Sequence, residues 1–120
     1  MPGAHQEPEL SCLLFVYGSL KRGQANHGQL GAAHFLARVR TAPSFALRMI
    51  DGFPALVPGA RSIAGELHRV PTQALPALDD FEGDGYARGE VELADGSRAV
   101  AYLARVPSAG ALLVTDEWRM

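Results

Sequence analysis

The chain has 120 residues and a mass of 12.8 kDa, which fits one domain and leaves no room for two independent cores. Its 48% hydrophobic and 20% charged residues are globular proportions that exclude a disordered, collagen-like or coiled-coil chain. With 11 basic against 13 acidic side chains and no block of either sign, the surface carries no electrostatic footprint for a nucleic-acid backbone or an anionic membrane.

Residues 1–9 hold two prolines and no apolar periodicity, so they read as a flexible N-terminal tail, with 10–120 as a single domain. Neither a secretion signal nor an apolar run of the roughly 18 residues that span a membrane is present, and the expected location is the cytoplasm. The one cysteine, Cys12, can make no internal disulfide, in keeping with a reducing compartment. Ten of the 11 basic residues are arginine, a bias expected of a GC-rich bacterial genome.

The run Cys12 to Tyr17 is continuously apolar and stops at Gly18, which predicts a strand buried on both faces. Gly18 to Gly28 is rich in glycine and small polar residues and reads as a long loop. Looser alternation predicts strands over His34 to Thr41, Ser44 to Met49 and Ile63 to Val70, with turn chemistry at Ile50 to Pro54. Thr72 to Phe81 is the convincing helix, provided Pro76 lies in its first turn, and Gly83 and Gly85 end it. Tyr86 to Leu93 and Arg98 to Ala104 form a hairpin around Ala94-Asp95-Gly96-Ser97, because Asp-Gly accepts positive φ. The remaining C-terminal stretch is irregular, and its Trp118 reads as a lid or a packing residue. Strands outnumber helices without regular alternation, so the expected class is α+β with a curved or closed sheet.

Two places could carry chemistry. On a helix turning about 100° per residue, Leu75, Leu78 and Phe81 mark the buried stripe, and Glu82 falls between Leu75 and Leu78. A carboxylate placed there either sits in a frayed last turn, is neutralised by an arginine such as Arg88, or has its pKa raised toward the range of proton transfer. Asp79 lies at the border of the stripe and Asp80 outside it, positions that suit a solvated face or a cap. The second place is the turn after the first strand. Gly18 and Gly23 have the spacing of a phosphate loop, but Gln24 and Ala25 stand where Lys and Ser/Thr are needed. What remains is either an ordinary tight turn or a run of backbone amides able to hold a carboxylate or an oxyanion, with the Ser19 hydroxyl beside them. Cys12 reads as a core residue, His27, His34 and His68 lack metal-ligand spacing, and no nucleophile elbow surrounds Ser19.

Phe15-Val16-Tyr17-Gly18-Ser19-Leu20-Lys21-Arg22-Gly23-Gln24 with Asn26-His27, followed by Leu78-Asp79-Asp80-Phe81-Glu82-Gly83 and Tyr86-x-Arg88, resembles the gamma-glutamylcyclotransferase-like family over roughly Leu13 to Leu103. The first motif looks closest to the gamma-glutamylaminecyclotransferase branch. The resemblance implies a small mixed β-barrel flanked by short helices, with a cavity at the end of the first strand. It also implies that the Tyr17, Gly18, Ser19 and Leu20 turn binds substrate, that Glu82 is the catalytic acid and base, and that Tyr86 and Arg88 support them. The chain departs from the pattern between Glu82 and Tyr86, where the short Gly83-Asp84-Gly85 link would reshape the pocket rim. The implied reaction is cleavage of a small γ-glutamyl amide by its own α-amine, releasing 5-oxoproline and a free amine, with no cofactor and no metal. The competing reading is a non-catalytic domain of the same fold that binds a small acid or another protein.

Overall fold

A computed structural model describes residues 10–24, 26–31 and 33–118; the predicted tail, 1–9, lies outside the described residues. The elements in chain order are β1 (Ser11–Val16), a 3-10 turn (His27–Leu30), β2 (His34–Arg40), β3 (Phe45–Ile50), β4 (Phe53–Pro58), β5 (Ala64–Pro71), a 3-10 turn (Thr72–Ala74), α1 (Leu75–Glu82), β6 (Tyr86–Glu92), β7 (Arg98–Ala104) and β8 (Ala111–Leu112). All eight strands join one mixed sheet in the order β2-β5-β1-β7-β4-β3-β8, with β6 paired to β7 off this path. The expected α+β class holds with a single α-helix among the described residues.

The barrel needs correction. The strand path ends at β2 and β8. Just past the ends of β2 and the branching β6 the sheet curls until Thr41 and Leu93 make an isolated bridge, with no ladder between β2 and β6 among the described residues. Backbone bonds from Ala42 N to Glu92 O and from Ala94 N to Arg40 O flank that bridge. One bridge is a contact between edges and not a ladder, so the sheet is curved but not closed.

β1 is central, as its apolar run predicts, lying antiparallel to β5 and parallel to β7. Its alternating side chains feed two cores. Phe15 and Tyr17 pack inside the curve with Leu47, Leu56, Ile63, Val91 and Trp118, which makes Trp118 a packing residue. Leu14 and Val16 face the other way, against Leu20, Leu30, Leu75, Leu78 and Tyr102, and so seat the loop and α1.

Strand β4 escapes the pattern reading because Pro54 and Pro58 punctuate it. The hairpin explains why both are tolerated. Asp51 and Gly52 have φ of 50° and 85° and form a two-residue turn, which closes on the pair Ile50 and Phe53. Antiparallel pairs alternate between hydrogen-bonded and non-bonded, so counting from that bonded closing pair puts residues 54, 56 and 58 at non-bonded positions. Neither proline is asked for an N–H that it lacks. The N–H of Leu56 likewise points away from β3, and the Tyr17 hydroxyl accepts it at 3.0 Å while donating to Tyr102 O at 2.5 Å. This phenol ties β4 to β7 beyond the end of β1.

Removing it should be costly. Tyr17→Phe leaves the fully buried Leu56 N–H and the Tyr102 carbonyl without this partner, a loss of about 1–3 kcal/mol. Urea denaturation should show a lower midpoint at an unchanged slope, and an unchanged midpoint would contradict the bridging role.

Candidate functional site

Where β1 ends, a cavity of about 580 Å³ opens between the turn that follows it, the tip of the β3–β4 hairpin and the C-terminal end of α1. Tyr17, Gly18, Ser19, Leu20, Glu82 and Tyr86 all line it. The structure thus collects six of the seven residues singled out from sequence. Arg88 is the exception, since its Nε pairs with Asp79 Oδ1 at 2.9 Å and its side chain is not part of the wall.

The turn is built from short-range hydrogen bonds. Lys21 N donates to Gly18 O at 3.1 Å, Gln24 N to Lys21 O at 3.0 Å and Asn26 N to Ser19 O at 2.9 Å. Asn26 Nδ2 also donates to Ser19 Oγ at 2.9 Å, and His27 Nδ1 lies 2.9 Å from Leu20 O. Among the described residues the N–H groups of Gly18, Ser19 and Leu20 donate to no backbone carbonyl, which leaves three consecutive donors at the cavity for an anionic group. Gly18 is required by space. A Cβ there would sit 2.8 Å from Cγ of Pro54, and Pro54 is itself held by the Tyr86 hydroxyl, which donates to its carbonyl at 2.9 Å.

Glu82 is the last residue of α1. Pro76 sits in the first turn as predicted, and Gly83, at φ 80°, stops the helix while its N–H returns to Asp79 O. Leu75 and Leu78 are buried, but Phe81, expected to complete the stripe, is 38% exposed because it stands at the cavity mouth. Asp79, expected on a solvated border, instead accepts from the Tyr102 hydroxyl at 2.7 Å as well as from Arg88. That network locks α1 onto β6 and β7, and it occupies the arginine that could have neutralised Glu82. Among the described residues no hydrogen bond or ion pair engages Glu82, and burial alone pushes its carboxyl from 4.5 up to about 7. Burial pushes the Tyr86 phenol up to about 12, helped by the Glu82 and Asp51 carboxylates. The Tyr17 phenol is pushed up as well, chiefly by its complete burial. Neither phenol is an acid near neutral pH, whereas the Glu82 carboxyl on the same wall is raised into that range.

Sequence reading missed Asn26 as a wall residue although it lay inside the quoted motif, and it missed Ile50, Asp51, Phe53 and Pro54. The available signal was the Asp51-Gly52 pair, whose preference for positive φ marks a tight hairpin. The short Gly83-Asp84-Gly85 link does form part of the rim, through Asp84 and Gly85. Among the described residues no three His, Cys, Asp or Glu side chains gather as a metal site would need, and no helix is long and apolar enough to cross a membrane.

Comparison with known proteins agrees with this geometry. The sequence profile of the family described as gamma-glutamyl cyclotransferase, AIG2-like, matches residues 14–120. The chain is 31% identical over 108 residues to the gamma-glutamylcyclotransferase family protein YtfP of Escherichia coli, covering 88% of this chain and 94% of that one. It is 46% identical over 81 residues to the gamma-glutamylaminecyclotransferase of Homo sapiens, a match that takes in 58% of this chain and spans about half, 52%, of the human protein. Its fold superposes on the crystal structure of an AIG2-like protein from Mus musculus with a TM-score of 0.74 and 28% identity, over 91% of this chain and 88% of that one.

The Glu82 carboxyl should titrate near pH 7 when followed by carboxyl-carbon NMR, well above the ordinary 4.5. Between those two values the folded chain keeps a proton that the unfolded chain has lost, so this residue makes the fold less stable as pH rises through that window. Glu82→Gln should remove that slope. A stability difference between the two proteins that stays constant from pH 4.5 to 7 would contradict the shift.

Proposed function

The chain belongs to the gamma-glutamyl cyclotransferase, AIG2-like family, and on that premise we propose that it is an enzyme that cleaves a γ-glutamyl amide by intramolecular attack of the α-amine, releasing 5-oxoproline and a free amine. The observation that carries the proposal is the pairing of the Glu82 carboxyl, raised to about 7, with three backbone amides on the wall of the same cavity that donate to no backbone carbonyl among the described residues.

The substrate brings its own nucleophile. In a γ-glutamyl amide the α-nitrogen can close a five-membered ring on the side-chain carbonyl, and enclosure in the cavity holds it near that carbon. Glu82 as carboxylate takes a proton from the α-ammonium, which frees the lone pair for attack. The new C–N bond forms as the carbonyl oxygen becomes negative, and the amides of Gly18, Ser19 and Leu20 receive that charge or the α-carboxylate. Collapse breaks the original amide bond as Glu82, now protonated, passes its proton to the departing nitrogen. The carboxylate so regenerated takes the remaining extra proton from the ring nitrogen and releases it to the freed amine or to solvent, leaving the neutral lactam. A carboxyl with a pKa near neutrality is suited to both transfers. Tyr86 shapes the wall through Pro54, and Arg88 acts at one remove by holding Asp79 and hence α1.

The wall also bears on the leaving group. Asp51, Glu82 and Asp84 line the cavity with Phe53 and Phe81, and no lysine or arginine joins them among the described residues. A leaving group whose one charge is a carboxylate meets like charge there, whereas one with an alkyl chain and an ammonium group, such as the lysine of a γ-glutamyl-ε-lysine, meets apolar rings and opposite charge. This supports the gamma-glutamylamine branch over glutathione.

Two experiments test the reading. Purified protein is incubated separately with γ-glutamyl-ε-lysine, γ-glutamyl-alanine and glutathione, and the acidic product is identified by mass. The expected result is 5-oxoproline, with glutathione the poorest substrate and no turnover of α-N-acetylated compounds; free glutamate would refute cyclisation. Glu82→Gln should lower turnover by at least about 100-fold with ligand affinity kept, while Asp80→Asn stays close to wild type. Gly18→Val should cost more activity than Ser19→Ala, because the amides and not the hydroxyl bind; equal losses in folded variants would assign the contact to Ser19 Oγ.

A further inference from the structure

The turn that offers the three amides is tied to the sheet by a carboxylate that is not part of the cavity wall. Glu66 lies on β5 directly opposite Val16, the last residue of β1. Cross-strand partners share a face, so its side chain leaves the sheet on the side where Val16 packs against Leu20. It is only 6% exposed, and it borders a second cleft of about 770 Å³ together with Arg22 and Arg38.

A buried carboxylate is costly unless donors satisfy it. Glu66 has three. Its Oε1 accepts from the backbone N–H of Arg22 at 2.9 Å and lies 3.0 Å from Nε2 of His68, while Oε2 is 3.5 Å from Nε of Arg22. His68 is two residues along β5 and therefore on the same face, and it is 1% exposed. Phe35 packs edge-on to the His68 ring with centroids 5.5 Å apart, and the Arg22 guanidinium carbon lies 3.3 Å over the Phe35 ring. Burial raises the Glu66 pKa, but the bonds from Arg22 and His68 outweigh it and hold the carboxyl below its ordinary range.

The position of Arg22 in the chain gives this cluster its meaning. Its N–H is the first one past the turn that Lys21 N closes onto Gly18 O. The bonds from Asn26 and His27 to Ser19 and Leu20 join parts of the same loop and move with it. The Arg22 N–H instead reaches across to Glu66 on β5, the hydrogen-bonded neighbour of β1. β1 sets the backbone where it enters the turn, and the Arg22–Glu66 bond ties the backbone N–H where it leaves, next to the Lys21 side chain, which bonds Trp118 O at 2.7 Å.

We propose that Glu66 is a positioning residue, whose carboxylate, braced by His68, holds the Arg22 amide so that the N–H groups of Gly18, Ser19 and Leu20 stay aimed at the ligand. Its kinetic consequence rests on the cyclotransferase reading; the structural part does not.

Reach and charge can be separated. Glu66→Gln keeps an oxygen at the same distance from the Arg22 amide but removes the charge, and Glu66→Asp keeps the charge but withdraws the oxygen by one methylene. Anchoring the turn predicts that Asp is the damaging change: kcat/KM for γ-glutamyl-ε-lysine falls at least about tenfold, and the Arg22 amide exchanges with solvent at least about tenfold faster by NMR. In Glu66→Gln both quantities should stay within about threefold of wild type. Arg22→Ala, which keeps the N–H and deletes the guanidinium, should resemble the Gln variant. The opposite order, with Gln worse than Asp, would show that the charge matters and not the anchor, and would overturn the proposal. So would an unchanged Arg22 exchange rate in Glu66→Asp, or a Glu66→Gln protein that fails to fold. If wild-type protein releases no 5-oxoproline from any substrate, the cyclotransferase reading fails on its own, and amide exchange still decides whether Glu66 anchors the turn.

Discussion

One edge of β7 is shared by two strands, and the cavity exists because of it. β6 pairs along the full length of β7 on one side. On the other, β1 meets it at Val100 and β4 meets it at Leu103, both parallel. β1 cannot continue along β7 because β4 takes its place, so the chain turns away at Gly18 and leaves a gap where the two strands part. The Tyr17 hydroxyl spans the fork by bonding to both β7 and β4. A gap at a fork exposes the backbone amides of the departing chain, which no neighbouring strand is there to receive. The close approach of Pro54 to Gly18 follows from the same crowding and explains why this turn begins with a residue that has no side chain.

The division of charge around α1 follows from how the helix is held. Asp79, Arg88 and the Tyr102 hydroxyl form one cluster on the rim of the helix, and Glu82, three residues after Asp79, is left with burial and no partner among the described residues. Both carboxylates stand on one short helix, yet one is held by an arginine and a phenol while the other is raised to about 7 by burial. Moving Arg88 from Asp79 to Glu82 would work against that rise, because an adjacent guanidinium favours the charged form.

Much of this was legible locally. Apolar runs and alternation placed β1, β2, β3, β5, β6 and β7 to within a residue or so at their ends, and the helical period turned Glu82 inward before any contact was known. The misses share a cause. β4 was hidden by Pro54 and Pro58, whose tolerance depends on the hydrogen-bonding phase of a hairpin. β8 is two residues long and exists only through its pairing with Arg48 and Met49. Phe81 follows the helical stripe but stands where the stripe leaves the core and meets the cavity.

The sequence by itself determined which segments extend, where the helix lies and which way Glu82 faces, because those depend on the spacing of side chains a few residues apart. Only the tertiary structure decided that the sheet touches at Thr41 and Leu93 without closing, that Arg88 serves Asp79, and that Glu82 is left without a partner among the described residues. It alone brought Glu66 against the Arg22 amide, 44 residues away in the chain. These outcomes turn on which distant groups reach one another first and satisfy one another's hydrogen bonds, and no local periodicity encodes that competition.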